Sequence, residues 1–247
     1  MLKYILLGII QGTTEFLPVS SSGHLVILQN LFGITGNEIA VSIILHLATT
    51  LALIVFFFKD IVGLLRNLRL LVLILTVTVI TGGIGILGKD FFEKLFHLPK
   101  FIAGTLVITG IILILSRRFM QGRRNTLTLK DAFLLGLSQG FAIIPGISRS
   151  GITLCALLFR KMDRESSFRL SFLASIPVVL GAAILEAREI DFALGLESGK
   201  LILAFMVAFL VGIISLRILK IILEKAKLHY FGYYCIFMGI ILFLFMR

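Results

Sequence analysis

Long uncharged stretches dominate this chain and decide in which environment it can fold. Of its 247 residues, 58% are hydrophobic and only 15% are charged. Runs of 16 to 20 residues without Lys, Arg, Asp or Glu cover 39–58, 70–88, 101–116, 132–148, 170–185, 201–216 and 228–246. A helix needs about 20 apolar residues to cross a bilayer, and about 17 at the lower limit. The sequence therefore predicts an all-α polytopic membrane protein.

The basic residues lie between these runs and predict the topology. Four loops are rich in them: Lys59, Arg66 and Arg69; Arg117, Arg118, Arg123, Arg124 and Lys130; Arg160, Lys161, Arg164 and Arg169; Arg217, Lys220, Lys225 and Lys227. Because Lys and Arg concentrate in cytoplasmic loops, we expect these four inside and the loops around Lys94 and Arg188 outside. The net charge of +11 forms no single basic face, which argues against nucleic-acid binding.

Six full spans satisfy this arrangement, and two segments do not fit as spans. The spans lie near 39–58, 70–88, 101–116, 170–187, 201–218 and 229–246. In residues 4–32 and 132–160, Pro, Gly and Ser interrupt the apolar stretch, and each segment has to begin and end on one side of the membrane. Both are interpreted as re-entrant helical hairpins.

The two hairpins repeat each other at a constant offset of 128 residues. The matched pairs are Gly8 and Gly136, Gln11 and Gln139, Gly12 and Gly140, Ser20 and Ser148, Ser22 and Ser150, Gly23 and Gly151. Each hairpin precedes three spans, an odd number, so the second half enters from the opposite side. We therefore predict one transmembrane domain over residues 1–247, made of inverted repeats at 1–118 and 130–247 whose broken tips meet near the midplane.

Charged groups in the apolar regions mark the expected site. We expect the only buried charges to be Glu15 and Arg149, in the two hairpin motifs, with His24 and His46 as further titratable groups. Burying an ionisable group in lipid is costly, so such residues indicate a function. His46 stands alone on a predicted span and is interpreted as a packed or hydrogen-bonded core histidine.

The first motif, residues 11–24, contains ligands suited to a cation. Gln11 and Glu15 are one helical turn apart, so both side chains point the same way. Oxygen ligands placed in this way suit a hard cation such as Mg²⁺ or Ca²⁺. Pro18 then breaks the helix, and the next helix begins among serines.

Both hairpins resume with residues that can bind phosphate. The hydroxyl groups are Ser20, Ser21 and Ser22 in the first hairpin and Ser148, Ser150 and Thr153 in the second. Free N–H groups at a helix start favour an anion, and the guanidinium of Arg149 matches phosphate oxygens. His24 lies within one helical turn of Ser21 and can act as general acid, general base or nucleophile. The set can hold a metal, bind phosphate and attack it.

These residues alone leave several functions open. Glu15 and Arg149 can form a purely structural ion pair, and the Gly and Ser runs can serve close helix packing. Inverted repeats with broken helices are common in secondary transporters, so ion, anion or lipid transport competes with phosphate chemistry. A structural membrane subunit is a third alternative, although it would not need these polar residues buried together.

At these motifs the sequence closely resembles the undecaprenyl-diphosphate phosphatase family, membrane phosphatases of the bacitracin-resistance type. One family signature appears at residues 11–24, ending in Phe-Leu-Pro-Val-Ser-Ser-Ser-Gly-His, and the other at 145–153 as Pro-Gly-Ile-Ser-Arg-Ser-Gly-Ile-Thr. The length and spacing of the spans extend the resemblance over the whole chain. It implies hydrolysis of undecaprenyl diphosphate to undecaprenyl phosphate and inorganic phosphate, which recycles the lipid carrier for peptidoglycan synthesis and confers bacitracin resistance.

The resemblance also implies where the enzyme works and through which residues. It implies the bacterial inner membrane, a pocket open to the periplasmic or extracellular side, and a divalent cation held by Gln11 and Glu15. Arg149 and the serines would bind the diphosphate. Ser21 would attack the terminal phosphorus with help from His24; water and His24 itself are alternative nucleophiles. Many members have Glu where this chain has Gln11, so Glu15 is the only acidic group there. The oligomeric state stays open, with a homodimer as one option.

Overall fold

The computed structural model describes residues 1–32, 38–96, 98–187 and 198–245. Within these ranges it is almost entirely helical and contains no β-strand, which confirms the predicted all-α fold. The helices are α1 (Leu2–Thr14), α2 (Ser21–Phe32), α3 (Glu38–Phe56), α4 (Phe58–Leu65), α5 (Leu68–Leu87), α6 (Lys89–Phe96), α7 (Pro99–Ser116), α8 (Leu129–Phe141), α9 (Arg149–Phe159), α10 (Arg164–Ala187), α11 (Ser198–Glu224) and α12 (His229–Phe245).

Several of these helices are long and apolar enough to cross a membrane. In the described part of the chain, α5, α7, α10 and α11 meet both criteria, and α3 with α4 forms a fifth candidate that is bent by 74°. The sixth predicted span corresponds to α12, an apolar helix of 17 residues. The chain is a multi-pass membrane protein. The loop around Arg188, expected on the outside, lies outside the described residues.

The two segments that do not fit as spans are interrupted helices. The first is α1 followed by α2, and the second is α8 followed by α9. Each of these helices has 11 to 13 residues, which is too short to cross a bilayer alone. The interruptions fall where Pro, Gly and Ser occur in the sequence.

The outer surface is apolar, while many polar side chains lie inside. Large hydrophobic side chains are exposed, among them Leu87 at 91% and Phe245 at 81%. Thr81 is buried in α5 and donates a hydrogen bond to the carbonyl of Gly136 in α8. In lipid, apolar faces need no cover, whereas polar groups have to find partners within the protein.

Helices from the two halves of the chain pack against each other. The α1 helix packs on α11 and α8 packs on α5, while α3 contacts α10 and α7 runs along α12. At the crossing of α7 and α12, a Cβ on Gly110 would lie 2.6 Å from the carbonyl oxygen of Gly232, and a Cβ on Gly232 would meet the oxygen of Gly110 at the same distance. Small residues thus let the two backbones touch, which strengthens helix association in lipid.

A further charged side chain, Asp131, is fully buried, so the expectation that buried charges occur only in the two hairpin motifs is wrong. Asp131 lies in the first turn of α8 and forms a capping box with Thr128. Its Oδ1 accepts hydrogen bonds at 2.9 Å from both Arg124 and Arg160. Arg124 lies 7 residues before Asp131 and Arg160 lies 29 residues after it, so Asp131 ties the loop between the halves to the end of α9.

These contacts set the acidity of the carboxyl group. Burial alone would raise the pKa of Asp131. Hydrogen bonds from Arg124, Thr128 and Arg160 outweigh burial and hold the pKa well below its ordinary range. The carboxylate therefore stays charged in the folded protein at any pH near neutrality.

Gly110→Ala should destabilise the protein, because the added methyl group has no room at the crossing of α7 and α12. We expect a loss of about 1–3 kcal/mol, measured by thermal unfolding in detergent. Gly104→Ala is the matched control on the same helix, where a Cβ would meet nothing within 4 Å. Equal melting temperatures for the two variants would contradict the close contact.

Asp131→Asn should make the stability less sensitive to acid. Since the folded pKa of Asp131 lies below its unfolded value of about 3.9, its contribution is fully present above that pH and is lost as the pH falls toward the folded pKa. Thermal unfolding from about pH 7 to pH 3 should show a shallower decrease below about pH 4 in the variant than in the wild type. Asp90→Asn, on the exposed surface of α6, is the control; an unchanged acid response in Asp131→Asn would exclude this role.

Candidate active site

The site lies where the two hairpins are interrupted, between α1 and α2 and between α8 and α9. The two interruptions touch each other. A Cβ on Gly151 would lie 3.1 Å from Cβ of Pro18, and a Cβ on Gly23 would lie 3.9 Å from Cα of Gly146. Residues that are more than a hundred positions apart in sequence therefore meet at this point.

A left-handed residue reverses the backbone at each break. In the second hairpin it is Gly146, with φ of 88°, where a Cβ would also clash with Oγ1 of Thr105 at 2.1 Å. In the first hairpin it is Ser20, with φ of 69°, although this conformation costs a residue with a side chain about 1–2 kcal/mol. The surrounding structure has to hold Ser20 in place.

Threonines of α7 hold the second break. Thr105 donates a hydrogen bond to the carbonyl of Pro145 at 2.6 Å. Thr109 donates to the carbonyl of Gly146 at 3.0 Å and accepts from the N–H of Ser148 at 3.2 Å. Lipid cannot satisfy these backbone groups, so the threonines stabilise the break and fix the start of α9.

Glu15, at the end of α1, is the centre of the site. Its side chain is only 11% exposed. Oε2 accepts hydrogen bonds from Ser21 Oγ at 2.7 Å and from Gln11 Nε2 at 3.1 Å, while Oε1 lies 3.8 Å from Arg149 Nη1. Both motifs thus contribute to one cluster, whose partners compensate for burial of the carboxylate.

His46 of α3 also belongs to this cluster. Its Nδ1 lies 3.4 Å from Glu15 Oε2 and 3.1 Å from Gln11 Nε2, and its side chain is 26% exposed. The interpretation as a hydrogen-bonded histidine agrees with these contacts, but the sequence pattern did not place His46 at the site. The available signal was that Glu15, His24 and Arg149, the other groups expected to mark the site, all lie in the hairpin motifs.

His24 is held by other partners. Its Nδ1 lies 2.8 Å from the carbonyl oxygen of Ser20, which can only accept, so Nδ1 carries the proton. Nε2 therefore accepts a hydrogen bond from the hydroxyl of Tyr234 in α12, at 2.8 Å. Within the described residues no hydrogen bond joins His24 to Ser21, whose hydroxyl is bonded to Glu15 instead.

Four of the remaining predicted phosphate ligands pair within their own hairpins, and the fifth, Thr153, pairs with α10. The distances between hydroxyl oxygens are 3.3 Å for Ser20 with Ser22, 3.2 Å for Ser148 with Ser150, and 2.6 Å for Thr153 with Ser171 of α10. Ser148 also caps α9 by accepting the N–H of Gly151. Thr153 is buried, and its hydroxyl bonds to Ser171 and not to the Glu15 cluster.

One buried atom of the cluster, Gln11 Oε1, has no hydrogen-bond partner. It lies one helical turn from Glu15, so the two side chains offer oxygen ligands from the same face of α1. In the part of the chain that the structure describes, no group of three or more His, Cys, Asp and Glu side chains could hold a metal. A cation here would therefore need further oxygens from a bound ligand.

Comparison with known proteins agrees with the motifs and their geometry. Residues 4–241 match the family described as Bacitracin resistance protein BacA. The chain belongs to the BacA family. It is 41% identical over 245 residues to the undecaprenyl-diphosphatase of Carboxydothermus hydrogenoformans, covering 96% of this chain and 94% of the relative. It is 42% identical over 243 residues to the undecaprenyl-diphosphatase of Thermotoga petrophila, covering 97% and 98%. The predicted family is confirmed.

Proposed function

We propose that this BacA family member hydrolyses undecaprenyl diphosphate to undecaprenyl phosphate and inorganic phosphate. The observation that carries the proposal is the hydrogen bond from Ser21 to Glu15, with Arg149 on the other carboxylate oxygen. A nucleophile (Ser21), a base (Glu15) and a phosphate-binding guanidinium (Arg149) thus lie together where the two broken helices meet. The names of the relatives support the choice of substrate.

The reaction begins with Ser21. Its Oγ attacks the terminal phosphorus while Glu15 Oε2, at 2.7 Å, takes the hydroxyl proton. The bond from this phosphorus to the bridging oxygen breaks, and undecaprenyl phosphate leaves with the electron pair. Arg149 stabilises the charge on the transferring oxygens. Water then hydrolyses the phosphoserine, which releases inorganic phosphate and restores Ser21.

The starts of α2 and α9 would bind the diphosphate. Their free N–H groups and the paired hydroxyls of the two breaks favour an anion. The hydroxyl groups are those of Ser20, Ser22, Ser148 and Ser150. His24 assists from α2, where Ser20 and Tyr234 fix its orientation.

A divalent cation, Mg²⁺ or Ca²⁺, forms part of the proposal. Gln11 Oε1 is buried without a partner and Glu15 is adjacent, so the residues present fit an oxygen-coordinated ion. These two side chains would hold it, and diphosphate oxygens would complete its coordination. The ion would supply positive charge beside the transferred phosphoryl group.

We also propose that the two halves are inverted repeats. In support, the contacts between the halves are reciprocal. Helix α1 packs on α11, and its counterpart α8 packs on α5, which is the counterpart of α11. The contacts of α3 with α10 and of α7 with α12 each join a helix to its own counterpart. Three spans after each hairpin then place the halves in opposite orientations. In this arrangement the protein lies in the inner membrane, with its site open to the outside. There it recycles the carrier for peptidoglycan synthesis and confers bacitracin resistance.

Arg149→Ala and Glu15→Ala should each abolish phosphate release by the detergent-purified protein. Farnesyl or undecaprenyl diphosphate is the substrate, assayed with Mg²⁺, with Ca²⁺ and without either. We expect a decrease of at least about 100-fold, because each change removes a group that acts on the reacting atoms. Arg123→Ala, which removes an exposed arginine from the loop between the halves, is the matched control. Wild-type rates in the Arg149 or Glu15 variant would remove the central claim, whereas no release by the wild type with any cation would favour lipid transport.

Ser21→Ala tests the choice of nucleophile in the same assay. If Ser21 forms the phosphoryl intermediate, the variant loses turnover and no longer accumulates phosphoserine in a rapid quench. Substantial turnover by the variant would reassign the attack to water or to His24.

Equivalent positions in the two halves should lie on opposite sides of the membrane. Lys94→Cys, between the second and third spans of the first half, should react with an impermeant maleimide in intact cells. Lys225→Cys, at the matching place in the second half, should not. Both native cysteines, Cys155 and Cys235, are buried and give little background. Equal labelling of the two variants would refute the inverted arrangement.

A further inference from the structure

The part of the site that the proposed reaction leaves unused is the imidazole of His46. It reaches the cluster from α3, and Gln11 Nε2 contacts both His46 Nδ1 and Glu15 Oε2 at 3.1 Å. The two contacted atoms are 3.4 Å apart. Three side chains thus direct polar atoms at each other, with Gln11 buried and His46 partly exposed.

The protonation pattern of these atoms follows from their partners. Gln11 Nε2 is a donor with two hydrogens, so it donates one to Glu15 Oε2 and one to His46 Nδ1. A proton on Nδ1 would set two donors against each other at 3.1 Å. Nδ1 therefore carries a lone pair and no proton, as a metal ligand requires.

Gln11 Nε2, Glu15 Oε2 and His46 Nδ1 are spaced like three ligands on one face of a metal ion's coordination sphere. Their separations are 3.1, 3.1 and 3.4 Å. Two ligands bonded to one ion at about 2.1 Å are about 3.0 Å apart at a right angle and about 3.4 Å at the tetrahedral angle. On ion binding, a half-turn of the Gln11 amide would put Oε1, now buried without a partner, at the corner that Nε2 occupies, and the ion would replace the Nε2 hydrogens as the partner of Glu15 Oε2 and His46 Nδ1. All three corners would then be lone-pair donors.

We infer that His46 Nδ1 is a ligand of the divalent cation, together with Glu15 and Gln11, and that the site selects Mn²⁺ or Co²⁺ over Ca²⁺. The inference rests on the cation site of the proposed function. Gln11 carries an amide in place of a carboxylate, so the three side chains offer one carboxylate oxygen, one amide oxygen and one imidazole nitrogen. Nitrogen ligands favour first-row transition ions, whereas Ca²⁺ prefers oxygen alone.

Pulsed electron paramagnetic resonance on the purified full chain with Mn²⁺ alone tests this directly. The wild type should show hyperfine coupling to one imidazole ¹⁴N, and incorporation of ¹⁵N-histidine should convert it to ¹⁵N coupling. His46→Gln, which keeps a polar side chain, should lose the coupling and bind Mn²⁺ at least about tenfold more weakly. Its affinity for Ca²⁺ should change less than its affinity for Mn²⁺.

Control variants separate His46 from the other histidines. His24→Asn should retain the nitrogen coupling, because both nitrogens of His24 are engaged with Ser20 and Tyr234. Wild-type protein without nitrogen coupling would overturn the inference, and this result does not depend on whether any variant folds. Coupling that persists in folded His46→Gln would overturn it as well.

The same protein separates this inference from the proposed function. Phosphate release whose Mn²⁺ dependence is unchanged in His46→Gln would refute the ligand role and leave the phosphatase in place. Nitrogen coupling in the wild type without phosphate release under any cation would support the metal site and refute the phosphatase. Gln11→Glu should restore binding to His46→Gln with a preference shifted toward Ca²⁺, since the ligand set then contains oxygen alone.

Discussion

A carboxylate between apolar helices is stable only when protein groups replace its water. Glu15 obtains these groups from different elements: Gln11 from α1, Ser21 from α2 and Arg149 from α9. An uninterrupted helix in either hairpin would carry the starts of α2 and α9 away from this point. The breaks and the contact between them therefore bring together the groups that compensate for burial of Glu15.

In a membrane, the backbone groups at each helix break need hydrogen-bond partners from the protein. Each break frees backbone groups that lipid cannot satisfy, so neighbouring helices have to supply partners. Helix α7 does so for the second hairpin through Thr109, and the thiol of Cys235 in α12 approaches the carbonyl of Pro18 in the first hairpin at 3.4 Å. The same support orients the side chains that follow each break. The same contacts thus satisfy the backbone at the breaks and hold the side chains of the site in place.

The resemblance between the hairpins does not extend to their charged residues. Ser21 and Arg149 occupy matching positions at the offset of 128, each is the first residue of its helix, and both face Glu15. The position that matches Glu15 in the second hairpin is Ile143. Two similar scaffolds therefore contribute different charged groups to one asymmetric cluster, with the carboxylate from one half and the guanidinium from the other.

The sequence by itself determined the membrane class, the positions of the helix breaks and the presence of Glu15 and Arg149 in a polar cluster. Uncharged runs, helix breakers and the cost of burying charge are local properties, so they can be recognised without a fold. Only the tertiary structure decided that Ser21 bonds to Glu15, that His24 bonds to Tyr234 and that His46 belongs to the site. These contacts join residues that are 6, 210 and 35 positions apart, and no local pattern records them. Side-chain partners at such separations are set by how helices pack, which depends on the whole chain at once.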